Sequence, residues 1–389
     1  MTKKKNDAFE FLSPKIRLFL SADLIGSTAL KQAVGISAAL KKDGAGFSST
    51  HSGWISPILF FYREFTKLFF TSWDDERKKY EKRHETSAIR ERPFLWKSAG
   101  DELIFCIVLE TEDSLFLSIY AWMSAIRAYR ERTSVLERAL DVKSAVWVAG
   151  FPVLNQEVAL PNEQFIFKDE VSRVEGDYTT NLMNLQEHYR NIKKSNWKID
   201  FIGPSIDTGF RLAKFADSRR IIISVELSNI MARCSLTKMK ENDICIYFDG
   251  MVELKGVVGG EPYPIFWIDV SSNKYYSESL QKITRSDAIS LENLEEFTKA
   301  FIDEHKKYLF LPFINGALNP DLRAPPANYR TQIEHIAETL KKEMRKESDL
   351  EKSLANVEVD PDEVPKHQLN VSLPKGNEKT TLLIDEDGN

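Results

Sequence analysis

Asp23 closes an apolar run in SADLIGST, Asp101 follows a glycine in LWKSAGDELIF, and DFIGPSIDTGFRL carries a polar ladder from Asp200 through Asp207 to Arg211. Hard divalent cations in nucleotide sites are held by one or two carboxylates together with substrate phosphates. Two aspartates, one at a strand end and one at a hairpin tip, suit that task. A cation pair so held activates an attacking hydroxyl and steadies the leaving oxygen at phosphorus. Each aspartate also has a plainer reading, Asp23 as a cap for a helix starting near Ser27 and Asp101 as a turn residue. Gly26, Ser27 and Thr28 follow Asp23 at that helix N-terminus, where free amides favour phosphate oxygens.

Elements must place these residues. Ile16, Leu18 and Leu20 alternate with Arg17, Phe19 and Ser21, which predicts a strand ending at Asp23, with Gly26 as the break. ILFFYREFTKLFF predicts a helix, and the charged run from Trp73 to Arg92 extends it or forms a solvated excursion. A hairpin follows, with one strand through Trp96, a turn over Ser98 to Asp101, and a return from Leu103 to Leu109. Leu115, Ile119, Trp122, Ile126 and Tyr129 have the spacing of an amphipathic helix whose aromatic stripe is core. Strands are predicted at 142–148, 220–224, 244–248 and 264–270, and helices at 291–305 and 329–354.

Composition narrows the setting. A net charge of -5 over 389 residues gives no global basic footprint, so an anionic ligand is held locally and neither DNA nor RNA is an expected partner. The three cysteines show no CxxC spacing and read as buried thiols of a reducing, cytoplasmic chain. MTKKKNDAFEF lacks the apolar run of a signal peptide. The most apolar windows are interrupted by Asp23, Arg63, Glu64 and Lys67, short of the roughly 18 apolar residues of a membrane span, so no membrane insertion is expected.

DFIGPSIDTGFRL resembles the Asp-x-x-Gly-x-x-x-Asn-x-x-x-Arg segment of class III nucleotidyl cyclases. Ala22 to Thr28 is similar to that family's ADIxGFT stretch, Lys97 to Asp101 to its KxxGD hairpin, and Leu254-Lys255-Gly256 to an LKG pattern on a late strand. The resemblance implies an α+β fold with a ferredoxin-like core, a central antiparallel sheet flanked by helices. It also implies this organisation: a tail over 1–13, a catalytic domain over 14–270 with an insertion at about 152–198, a helical extension over 271–356, and a disordered tail over 357–389. Asp23 and Asp101, with Leu24 beside them, would hold two Mn²⁺ or Mg²⁺ ions. Lys97 and Asp200 would read the base, Asp207 orient the ribose, Arg211 stabilise charge at the α-phosphorus, and Lys255 meet the triphosphate. Asp207 stands where the family has asparagine, and an ionised carboxylate accepts hydrogen bonds but cannot donate them. The family geometry further implies a homodimer with composite sites.

A lysine donor beside an aspartate acceptor matches a base edge with a ring-nitrogen acceptor next to an exocyclic amine. Adenine and cytosine both have it. SADLIGST, the helix FFYREF, the insertion and the C-terminal extension are similar to the pyrimidine cyclases of Pycsar anti-phage systems, whose cCMP or cUMP activates a separate effector protein. The implied reaction is conversion of CTP or UTP to the 3′,5′-cyclic monophosphate and pyrophosphate. An adenylate cyclase and a degenerate nucleotide-binding regulatory domain are the alternatives. GGDEF-type and polymerase palm domains share a metal-bearing hairpin but have no counterpart of DFIGPSIDTGFRL.

Overall fold

The computed structural model describes residues 10–32, 54–84, 89, 91–134, 140–161, 174–192, 195–234, 244–271, 274–284 and 287–355. The basic start before residue 10, the Gly/Ser-rich stretch 43–53 and the tail 357–389, with its expected disorder, lie outside these residues. The chain divides into two compact units at Lys341 and Lys342. From Lys342 the second is helical through Ala355, the end of the helix Ala327–Ala355.

The first unit is α+β, built on a seven-stranded sheet of order β2-β3-β1-β4-β7-β9-β8. Its strands are β1 (Lys15–Leu24), β2 (Phe94–Ala99), β3 (Glu102–Val108), β4 (Val142–Phe151), β7 (Arg220–Ile223), β8 (Ile246–Glu253) and β9 (Pro262–Asp269). Among the described residues of this sheet only β4 and β7 run parallel, the other pairings being antiparallel. β5 (Gln156–Pro161) and β6 (Trp197–Ile202) form a separate antiparallel pair.

Alternation along β1 sends Ile16, Leu18, Leu20 and Ala22 into one core and Phe19 into another. The first core is closed by the helices Ile55–His84, Glu112–Thr133 and Val225–Arg233. Thr111 starts the second of these with a capping box closed by Ser114, and the stripe Leu115, Ile119, Trp122, Ile126 and Tyr129 is buried as its spacing predicts. The charged run after Trp73 continues the first helix to His84.

The opposite face is buried as well. Arg17 and Ser21, which alternate with the apolar residues of β1, are 6% and 1% exposed. Phe201 of β6 and Ile206 of the helix Pro204–Leu212 lie with Phe19, Trp96 and Trp147 in the second core. The segment between β4 and that helix therefore covers this face, a long-range packing that local periodicity does not encode. Unanticipated elements are β5, β6, the helices Val225–Arg233 and Lys274–Thr284, and the short helix Pro320–Arg323 in a stretch expected to be a loop. Leu309, Phe310, Phe313, Ile314, Ala317 and Leu322 share the first core with the sheet, and Glu112 accepts hydrogen bonds from the Leu318 and Asn319 amides, each at 3.1 Å. Of the cysteines, Cys106 and Cys234 are buried, but Cys245, just before β8, is exposed, against the expectation of buried thiols. Among the described residues no helix is long and apolar enough to cross a membrane.

Glu226, in the first turn of Val225–Arg233, is 1% exposed, with the Ser224 and Tyr263 hydroxyls beside its carboxylate. Burial pushes this carboxyl up to about 7. A group raised in the folded state contributes stability below its unfolded value and loses it as pH climbs through the folded one. Stability should therefore fall by about 3 kcal/mol between the ordinary value of 4.5 and about 7 on account of Glu226. Urea unfolding of the wild type and Glu226→Gln across that range should show the slope flattened in the variant.

Candidate active site

The end of β1 is clamped from both sides, since Asp23 faces Glu102 of β3 and Lys143 of β4. Lys143 Nζ lies 3.1 Å from Asp23 Oδ2. The β2-β3 turn folds over this end, and the Leu24 amide donates to the Asp101 carbonyl at 3.3 Å. Gly100 supplies the left-handed φ of +67° that the turn needs, and the Tyr62 hydroxyl donates to its carbonyl. Tyr62 thus steadies the hairpin tip. The Asp101 carboxylate accepts from the Ser27 hydroxyl and lies 3.3 Å from Lys31 Nζ. Ser27 is buried while Gly26 and Thr28 are exposed, so the Ser27 hydroxyl serves Asp101 and the other two residues face solvent.

The two aspartates are brought together. Burial raises the Asp23 carboxyl first of all, the negative charge of Asp101 adds to this, and Lys143 opposes it. Glu102 is a third carboxylate that sequence reasoning missed; it accepts from the Ser21 hydroxyl, and burial followed by the charge of Asp23 raises it too. Its position beside Asp101 and opposite a strand-terminal aspartate was the available signal. Among the described residues no three or more His, Cys, Asp or Glu side chains form a metal cage. The donor set nonetheless fits hard cations shared with phosphates, which need only one or two protein carboxylates, and a cation would relieve the crowding felt by Asp23.

Lys97 and Asp200 also meet, across a sequence separation of 103 residues. Lys97 Nζ lies 2.9 Å from Oδ1 and 3.1 Å from Oδ2. Asp200 sits on β6, opposite Val158 of β5, so the second sheet delivers it to the β2 edge.

The helix Pro204–Leu212 starts at Gly203, whose φ of +139° favours glycine and whose Cβ would meet Asn155 Oδ1 at 2.5 Å. Asn155 is fully buried; its Oδ1 accepts from the Ser205 amide at 3.0 Å, and its Nδ2 donates to the Ser205 hydroxyl at 3.2 Å and the Gly150 carbonyl at 3.0 Å. Nothing in the local sequence marked this residue. Further along, Gly209 lies flat on Trp147, where a Cβ would come within 2.2 Å of the indole ring. Gly209→Ala should destabilise the protein by about 1–3 kcal/mol through overpacking, read as a lowered melting temperature.

This helix exposes Asp207 and holds Arg211 half-buried. The buried Arg211 Nε has no hydrogen-bond partner, and Nη2 would lie 3.9 Å from a Cβ on Gly256. Arg211 therefore adjoins the turn that carries Lys255. That lysine was expected on a late strand, but β8 ends at Glu253; buried Leu254 and the positive φ of Gly256 turn the chain, leaving Lys255 exposed outside the ladder.

No family model matches the chain, and no curated protein matches it. Solved structures similar to it include the adenylyl cyclase CyaB from P. aeruginosa, at 12% identity and a TM-score of 0.38 over 67% of this chain and 96% of that one. The guanylyl cyclase Cya2 gives 12% and 0.34 over 68% and 95%. The guanylate cyclase domain of RhGC from Catenaria anguillulae, in complex with GTP, gives 10% and 0.34 over 65% and 96%.

Proposed function

We propose that this chain is a nucleotidyl cyclase acting on a pyrimidine triphosphate, CTP in preference to UTP, within an anti-phage signalling system. The observation that supports it is the gathering of separate sequence segments into three clusters of suitable chemistry. Asp23 and Asp101 meet at the β1 end, Lys97 and Asp200 meet across the two sheets, and Arg211 adjoins the Lys255 turn.

In this reading Asp23 and Asp101, with Leu24 beside them, hold two Mn²⁺ or Mg²⁺ ions. Such ions would activate the 3′-hydroxyl and balance charge on the phosphates. The hydroxyl oxygen forms a bond to the α-phosphorus, the bond to the β-phosphate oxygen breaks, pyrophosphate leaves, and the hydroxyl proton passes to solvent. Arg211, half-buried beside the Lys255 turn, would meet the charge that builds up at the α-phosphate through its guanidinium. Lys255 and the Gly26-Ser27-Thr28 turn would meet phosphate oxygens, with Ser27 also donating to Asp101, and Asp207 would accept from the ribose. Lys97 and Asp200 read the base. The helical segment 271–356 is an extension of the catalytic domain 14–270, a homodimer shares its sites between subunits, and a cyclic-nucleotide-activated effector receives the product.

The Lys97–Asp200 pair equally favours adenine, so cAMP formation is the second reading. Incubating the protein with Mn²⁺ and each of ATP, CTP, GTP and UTP separates the two. Cyclic CMP as the main product supports the proposal, exclusive ATP turnover replaces it with an adenylate cyclase, and inactivity with all four overturns both.

A further inference from the structure

We propose that Trp96 is the positioning residue that sets base selectivity, by fixing Asp200 Oδ1 so that Oδ2 is the oxygen turned to the exocyclic amine of the base. This rests on the reading that Lys97 and Asp200 contact the base. Between Leu95 and Lys97 the β2-β3 register shifts, and Trp96 is the residue at the irregularity. Such a bulge re-aims side chains. Trp96 turns inward, 5% exposed, with its ring 5.2 Å from both Phe19 and Phe201, while Lys97 stays at the surface edge with its ammonium 4.5 Å above the Trp96 ring.

The indole Nε1 donates to Asp200 Oδ1 at 2.9 Å, and the Phe201 amide donates to the same oxygen at 3.0 Å. Both donors are rigid, one a buried ring and the other backbone. The Lys97 ammonium, by contrast, ends a flexible stem, and its pair with Asp200 is 35% and 24% exposed, a setting where an ion pair alone holds geometry poorly. Oδ1 is thus engaged by fixed donors, whereas Oδ2 accepts only from the flexible Lys97 ammonium at 3.1 Å and keeps accepting capacity for the base. Lys97 has three donors, enough to keep Asp200 and also reach a ring nitrogen. Cytosine or adenine satisfies both groups, whereas the carbonyl of uracil or guanine would meet Oδ2 as a second acceptor. The indole N–H matters because a carboxylate free to rotate would lose this discrimination.

Steady-state turnover of CTP, ATP, UTP and GTP is compared for wild type, Trp96→Phe, Asp200→Asn and the double variant. Trp96→Phe keeps a ring among Phe19 and Phe201 but removes the N–H; benzothienylalanine at position 96, with sulfur in place of that N–H, keeps the indole shape should Phe fail to fold. The preference for amino over carbonyl bases should fall about tenfold in either, mainly through KM, the scale of one well-placed hydrogen bond. In the Asp200→Asn background the same change should have no further effect, because the indole acts through Asp200. Unchanged discrimination, or an equal loss with and without Asp200, overturns the role of Trp96 alone. A wild type that cyclises nucleotides without favouring amino bases overturns the base reading and Trp96 with it, and a wild type inactive on all four triphosphates overturns the cyclase function itself.

Discussion

Replacing Asp23 or Asp101 by alanine is expected to lower cation-dependent cyclisation by about 10²–10³-fold or more, the scale of removing a preorganised charge-stabilising group. Each variant should keep its fold. Asp23 loses an ion pair to Lys143 that is about a quarter exposed on either side, an interaction of small net worth. Asp101→Asn isolates charge from packing, because the amide oxygen still accepts from Ser27 while the negative charge is gone. Activity at saturating Mn²⁺, read beside circular dichroism, checks this. Full activity in a folded Asp23→Ala protein would remove these residues from the metal site. The shared-site reading has its own outcome: Asp23→Ala and Arg211→Ala homodimers, each inactive, should regain part of the activity when mixed. No rescue despite subunit exchange would place both groups in one protomer's site.

Glu157→Ala should cost about 3–5 kcal/mol of stability, the usual price of leaving a buried charge unpaired. Glu157 of β5 is 4% exposed and accepts from Arg17 Nε at 3.0 Å and Nη2 at 2.8 Å, with Lys15 at 3.1 Å and the Tyr189 hydroxyl at 2.6 Å. Burial by itself would raise this carboxyl, but Arg17 and Lys15 outweigh it and hold it at about 2. The contribution of Glu157 is therefore present above the unfolded value of 4.5 and disappears as pH falls toward 2. Unfolding curves for wild type and variant should converge over that window. The same substitution frees the second sheet from β1, so KM for the nucleotide should rise as well, because β6 carries Asp200. Replacing Arg17 and Glu157 together with apolar residues of similar volume should restore much of the stability.

The candidate site was readable to the extent that its residues sit at local junctions. A strand end at Asp23, a hairpin tip at Asp101 and a helix start after Gly203 each leave a signature within a few residues, in apolar alternation, a glycine break or a proline. The strands of the sheet and the helices Glu112–Thr133 and Leu291–Glu304 were readable for the same reason. Glu102, Lys143, Asn155 and Trp96 were not, because each acquires its role from a partner on another strand, in the second sheet or, for Asn155, in the helix Pro204–Leu212.

Residue type and spacing alone established that the chain carries a carboxylate pair, a lysine four positions before Asp101, and an arginine on a helix behind a glycine turn. Tertiary structure decided which groups meet. It placed β5 and β6 over the second face of the sheet, making Arg17 a buried ion-pair partner and bringing Asp200 to Lys97 and the Trp96 indole. The physical reason is that burial and hydrogen bonding are properties of what packs against a residue, and here the packing element lies more than a hundred residues away along the chain.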